Sequence, residues 1–235
     1  MMVIEKLSIK TNSKIVVNLF QELNNSITIK HSLALVGQSG SGKSLTLKTI
    51  LNLLPQNLHS DFKYKANFPL NYTTIGFIPQ NPFTSLSPMT KIYKQFFTSE
   101  YEINKLFKLV DLDLSLKNKF PAQLSGGQLQ RVVIAIVLSK KPKLLLLDEP
   151  TTALDTKNKT IILNLIKKLQ KELNFIIIFV SHDISSVENI CDDIAILKNG
   201  IICEYGKVKD IISNPNNNYT KQLLESNFHN REFRV

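Results

Sequence analysis

The sequence predicts an α/β fold with a mainly parallel sheet. Short apolar runs (Ser32–Val36, Lys143–Leu147, Phe175–Val180) alternate with stretches of helical periodicity, the pattern of strands buried on both faces and joined by helices. One of those strands runs straight into a glycine-rich loop and then a helix. The 235 residues are 43% hydrophobic and 20% charged, ordinary for a chain that buries a core without disulfide staples.

The elements follow in order. Ser32–Val36 reads as a strand entering the glycine-rich loop, and Lys43–Leu54 as a helix stopped by Pro55. Thr74–Pro79 is a short strand. From Asn81 to about Lys141 the pattern turns helical, so residues 81–141 read as an inserted helical subdomain. Pro82 and Pro88 predict an extended loop at its start. Lys143–Leu147 is a buried strand, Thr156–Leu173 a helix and Phe175–Val180 a second buried strand. Ile194–Leu197 and Ile201–Glu204 flank Asn199-Gly200, a two-residue hairpin signal. Val208–Ser213 and Tyr219–Ser226 are short helices of a tail over residues 205–235, and the chain 1–235 reads as a single domain.

Several classes are excluded. Runs such as Ile176–Val180 fall well short of the ~18–20 apolar residues that span a bilayer. MMVIEKLSIK has no apolar signal-peptide core. Cys191 and Cys203 lie in no metal or redox spacing and read as free thiols of a reducing compartment. The net charge is +10, carried by 26 Lys against 3 Arg beside 26 Ile and 22 Asn. That skew fits surface positions filled by an AT-rich genome, with proximity to an anionic membrane as the second reading. Arginine, which makes bidentate phosphate and base contacts, is scarce, so no nucleic-acid partner is expected.

Gly37-Gln38-Ser39-Gly40-Ser41-Gly42-Lys43-Ser44 fits GxxxxGK[ST] between a strand and a helix. The glycines let successive N–H groups turn inward around phosphates, and the helix start adds its dipole. Lys43 would reach the β- and γ-phosphates and the Ser44 hydroxyl would bind Mg2+. Leu144–Leu147 ends in Asp148-Glu149, two carboxylates at the edge where open α/β sheets bind ligands. Asp148 would hold Mg2+ through water, and Glu149 would act as general base on the attacking water. Leu124-Ser125-Gly126-Gly127-Gln128 precedes an apolar helix and offers a second anion site.

LSGGQ, DEPTTALD and SHD, in this order behind the glycine-rich loop, resemble an ABC-type ATPase subunit over essentially the whole chain. The resemblance implies a P-loop NTPase (RecA-like) core with a mainly parallel sheet, an N-terminal antiparallel β subdomain and an inserted α-helical subdomain. It implies that Ser125, Gly126, Gly127 and Gln128 grip the γ-phosphate of ATP bound to a partner subunit placed head to tail. Gln80 matches the glutamine that contacts Mg2+ and the attacking water, His182 the histidine that touches the γ-phosphate, and Asp155 the aspartate that crosses the dimer interface.

Two stretches narrow the branch. NPFTSLSPMTKIYKQF after Gln80 resembles a pattern of peptide and nickel importers, where it meets the coupling helices of membrane subunits. Ser213–Leu224, SNPNNNYTKQLL, resembles that branch's NPxHPYTxxLL segment. Ser87 and Asn217 stand where the branch has Asn and His. The stretch LSIKTNSK lacks the family's adenine-stacking aromatic, and Phe20, the nearest candidate, is not assigned that role. The chain lacks a Cys-rich C-terminal extension, which tilts the cargo towards nickel.

The resemblance thus implies an ATPase, turning ATP and water into ADP and phosphate, that energises import of nickel or di/oligopeptides. Implied partners are a second ATPase subunit (a heterodimer favoured over a homodimer), two membrane permeases and, indirectly, a periplasmic or extracellular solute-binding protein. The implied place is the cytoplasmic face of the bacterial inner membrane, peripherally bound. The alternative is a soluble ABC ATPase acting on nucleic acid or ribosomes, which usually carries two cassettes or a coiled-coil insertion. A P-loop kinase or GTPase would leave LSGGQ without a task, and no NKxD motif follows.

Overall fold

The computed structural model describes residues 1–12, 14–21 and 26–232, with side chains to residue 226. Ser13, within the stretch expected near adenine, lies outside the described residues. The chain divides into two compact units, Met1–Leu70 with Ile176–Val235, and Asn71–Phe175.

The first unit opens with an antiparallel sheet. Strand β1 (Met2–Lys10) pairs with β2 (Ile15–Asn18) near its end and with β3 (Ile27–Ile29) near its start. Along its length β1 also pairs with β5 (His59–Ala66). Alternation buries Met2 and Ile4 and, after a register shift between Ile4 and Lys6, Leu7 and Ile9. Strand β5 is not among the strands that the sequence predicts. Its residues HSDFKYKA are mostly polar and exposed, and its alternation is confined to the half-buried Phe62, Tyr64 and Ala66, a short and weak strand signal. Its partner β1 supplies the hydrogen bonds that make it a strand.

The rest of this unit is built on β4 (Ser32–Val36), which lies parallel between β8 (Ile176–Ser181) and β9 (Asp193–Lys198). Every residue of β4 and β8 is buried, as a strand covered on both faces requires. Strand β10 (Ile201–Lys207) folds back on β9 through the expected Asn199-Gly200 turn, whose residues take φ values of 50° and 81°. Helix α1 (Lys43–Ile50) is shorter than expected. Asn52, at φ 56°, ends it, and the Leu53 N–H returns to the Lys48 carbonyl at 2.8 Å. This left-handed cap stops the helix before Pro55 is reached. Helices α5 (Ile184–Val187), α6 (Val208–Ser213) and α7 (Asn218–Glu232) complete the unit.

In the second unit β6 (Ile75–Ile78) runs parallel to β7 (Leu144–Asp148). Helices α2 (Glu100–Leu109), α3 (Gly126–Leu138) and α4 (Thr156–Leu173) accompany them. Helix α4 buries Ile162, Ile166 and Leu169, the i, i+4, i+7 stripe its sequence predicts. The start of the helical stretch differs from the extended loop expected there. Pro82–Ser85 forms a 3-10 turn, because Asn81 Oδ1 accepts the Phe83 N–H at 3.0 Å and Pro82 occupies a position that needs no N–H. Ile92, Leu86 and Phe96 are buried, whereas Phe83 and Met89 are 53% and 85% exposed. Among the described residues no helix is long and apolar enough to cross a membrane.

Candidate functional site

The glycine-rich loop leaves β4 at Gly37 and enters α1 at Lys43. Two glycines are demanded by geometry. A Cβ on Gly37 would stand 2.1 Å from the Leu197 carbonyl oxygen, and Gly42 caps α1 at φ 104°, a backbone that side chains rarely adopt. Lys43 is buried, and its ammonium donates to the carbonyls of Gly37 at 2.6 Å and Gln38 at 2.9 Å. The chain thus curls around its own lysine. Ser41 Oγ is buried without a hydrogen-bond partner, an orphan donor that an anion in the loop would satisfy. Ser39, Gly40 and Ser44 are exposed at the loop surface. The Gly200 N–H braces the loop from the β9–β10 hairpin by donating to the Ser41 carbonyl at 2.9 Å.

Strand register brings His182 to the same sheet edge. Val36 of β4 pairs with Ser181 of β8, so Gly37 and His182 leave their strands side by side. Ser181 Oγ accepts the Asp183 N–H at 2.9 Å and donates to the Asp183 carbonyl at 3.1 Å. Asp183 in turn caps α5, its carboxylate accepting the Ser185 N–H and the Ser185 and Ser186 hydroxyls. His182 sits exposed between these fixed neighbours.

In the second unit the register Ile78 to Leu147 sends Gln80 and Glu149 off one edge. Glu149 Oε2 accepts the Thr152 hydroxyl at 3.2 Å and, at the 3.5 Å limit, the Gln80 carboxamide. Glu149 adopts φ 47°, a left-handed conformation that costs a non-glycine residue about 1–2 kcal/mol. Such strain concentrates at functional sites. Asp148, at the end of β7, is half-buried beside it.

Ser125 is the N-cap of α3: its hydroxyl accepts the Gln128 N–H at 3.3 Å, and the Gln128 side chain accepts the Ser125 N–H at 3.0 Å. The cap consumes one of the helix's first N–H groups and leaves Gly126 and Gly127 to present theirs. Asp155 caps α4 through the Asn158 N–H at 2.9 Å and the Asn158 carboxamide at 2.6 Å. These two bonds, the backbone one first, hold its carboxyl below the usual range. The same Asn158 reaches the signature turn. A Cβ on Gly127 would stand 2.5 Å from Asn158 Oδ1. Neither Asn158 nor Thr152 has a role in the sequence reading: Asn158 lies beyond DEPTTALD, and Thr152 lies within it but is assigned no contact there.

Oxygen donors suited to Mg2+ are Ser44 in one unit and Gln80 and Asp148 in the other. Among the described residues no group of three or more His, Cys, Asp or Glu could hold a metal alone. Ser44, Gln80 and Asp148 each offer a hard oxygen donor of the kind that Mg2+ takes.

The sequence profile of the family described as ABC transporter matches residues 20–152. The oligopeptide transport ATP-binding protein OppD of Bacillus subtilis is 40% identical over 223 residues, which cover 83% of this chain and 62% of that protein. The chain therefore spans about three fifths of that relative's length. The metal-staphylopine import system ATP-binding protein CntD of Staphylococcus aureus is 34% identical over 235 residues, covering 88% of this chain and 86% of CntD. Among solved structures, cbiO1 from Clostridium perfringens, part of the ABC transporter complex cbiONQ, superposes with TM-score 0.76 at 27% identity, covering 99% of this chain and 98% of its own. A dimeric ATP-binding cassette in a post-hydrolysis state bound to ADP and Pi superposes with TM-score 0.69 at 26% identity, covering 88% and 99% of the two chains.

Proposed function

Since the chain belongs to the ABC transporter family, we propose that it is the ATP-hydrolysing, energy-coupling subunit of an importer for small peptides or metal chelates. The observation that carries the reading is the glycine-rich loop curled around buried Lys43, with His182 delivered to the same edge by strand register. The names of the relatives, oligopeptide, dipeptide and metal-staphylopine importers, support the cargo class. They favour peptides over free nickel.

In this reading Gly37, Gln38, Ser39, Gly40, Ser41, Gly42 and Lys43 hold the phosphates of ATP. Ser44, Gln80 and Asp148 would hold Mg2+, Asp148 through water, and the ion would supply positive charge against the phosphates. Glu149 takes the proton of the attacking water, and His182 steadies the γ-phosphate. Ser125, Gly126, Gly127 and Gln128 serve the ATP of a second subunit, and Asp155 reaches towards it. That subunit is a similar but different chain in the favoured arrangement, or a second copy. Two membrane permeases receive the exposed Phe83 and Met89 surface, and an extracytoplasmic solute-binding protein delivers cargo to them. The protein then works peripherally at the cytoplasmic face of the membrane.

The test is phosphate release by the purified protein with Mg-ATP, alone and assembled with its permeases, together with uptake of labelled peptide. Hydrolysis and uptake that both depend on Lys43 are expected. ATP binding without peptide or chelate uptake by the assembled complex would refute the importer reading.

A further inference from the structure

We infer that Tyr219 is a positioning residue for the phosphate loop: its hydroxyl holds the Gly37–Gln38 peptide plane on which Lys43 is seated. The inference rests on reading that loop as the nucleotide site.

The Gln38 N–H donates to the Tyr219 hydroxyl at 3.1 Å, across 181 residues of sequence. Gln38 lies beyond the end of β4 and before the start of α1, so neither ladder nor helix uses this N–H. It shares one rigid amide plane with the Gly37 carbonyl, and that carbonyl accepts the Lys43 ammonium at 2.6 Å. The plane is thus pinned at both ends, by a phenol on one side and the lysine on the other. Rotation of the plane would move the seat of the lysine.

The tyrosine is itself mounted with care. It is 7% exposed, in the first turn of α7. Its N–H donates to Asn217 Oδ1 at 2.8 Å, and Asn217 Nδ2 donates to the Cys203 carbonyl at 3.3 Å. Glu204, on β10, accepts the Asn216 and Asn217 N–H groups at 2.8 and 3.3 Å. The Lys198 ammonium stands 4.7 Å over the Tyr219 ring centroid, a cation–π contact. Lys198, Cys203 and Glu204 lie on the β9–β10 hairpin, which also meets the loop at Gly37 and Ser41. The asparagine-rich segment is therefore the mount that delivers the Tyr219 hydroxyl to the loop. That gives a physical task to a stretch which the sequence marks only by resemblance.

Tyr219→Phe keeps the ring and its burial and removes only the acceptor. Leaving the N–H unpaired is expected to raise the Kd and KM for Mg-ATP about tenfold, while kcat at saturating ATP stays within about twofold of the parent. A tail that merely staples the fold would lower the Tm and leave the Kd alone. A Kd for the variant within about twofold of the parent, whatever its Tm, would overturn the inference. Amide exchange in the parent decides the matter should the variant not fold. The Gln38 amide, on an exposed residue, should exchange well below its free-chain rate, and exchange at the free-chain rate overturns the inference. Failure of the parent itself to bind ATP is a separate result, which would remove the functional reading and this inference with it.

Discussion

Glu149→Gln isolates basicity from geometry. The two side chains are the same size, and glutamine retains an oxygen to accept the Thr152 hydroxyl now bonded at 3.2 Å. The Gln80 bond at 3.5 Å is too long to contribute much. Stability should therefore change by no more than about 0.5 kcal/mol, and ATP affinity should be unaltered. Loss of one positioned general base should lower kcat about 10²–10⁴-fold, roughly 3–5 kcal/mol of barrier. The assay is phosphate release at saturating Mg-ATP beside equilibrium ATP binding. The backbone supplies an internal check, since Glu149 sits at φ 47°. At an ordinary position alanine is more stable than glycine by roughly 0.5–1 kcal/mol. Here the left-handed backbone costs alanine about 1–2 kcal/mol. Glu149→Gly should thus equal or exceed Glu149→Ala in stability by up to about 1.5 kcal/mol, with both inactive. Turnover of Glu149→Gln within about threefold of the parent would refute the base assignment. An alanine variant clearly more stable than the glycine variant would refute the strain.

Three further expectations follow from particular contacts. Gly127→Ala puts a methyl group 2.5 Å from Asn158 Oδ1, so the carboxamide must leave Asp155, at a cost of about 1–2 kcal/mol; urea denaturation should show most of that loss absent when Asn158→Ala is already present, and strict additivity would argue against the contact. Burial, with Asp192 and Asp193 adding to it, pushes the Cys191 thiol up, so the folded chain keeps a proton that the unfolded chain releases above pH ~8.5. Its contribution is whole below that pH and is lost above it, by up to about 1.4 kcal/mol per pH unit; the stability gap between the parent and Cys191→Ala should narrow from pH 8 to pH 10, and a constant gap would refute the shift. Phe83→Glu and Met89→Glu change exposed side chains and should leave the Tm and basal ATPase activity unchanged while abolishing co-purification with the permeases. Normal co-purification would move the docking surface elsewhere.

The motifs were legible in the sequence because their chemistry is local. A phosphate loop needs its glycines, Lys43 and Ser44 within eight consecutive residues, and a signature turn needs Ser125 and Gln128 three apart so that they can cap each other. The buried strands β4, β7 and β8 announced themselves by apolar runs, and α4 by its stripe. Other features depended on partners far along the chain. Strand β5 offers only the short alternation of Phe62, Tyr64 and Ala66, and the hydrogen bonds from β1 are what make it a strand. The end of α1 was decided by the backbone of Asn52, three residues before the proline that looked decisive. The strained φ of Glu149 and the contact of Asn158 with Gly127 have no local signature at all. Tyr219 is the clearest case. Sequence alone determined that a tyrosine follows an asparagine cluster, but only the register of β4 against β9, and the hairpin that carries β10 back, placed its hydroxyl on the Gln38 amide. Hydrogen bonds are short-ranged, so a pairing across 181 residues is set by the stacking of every element between them.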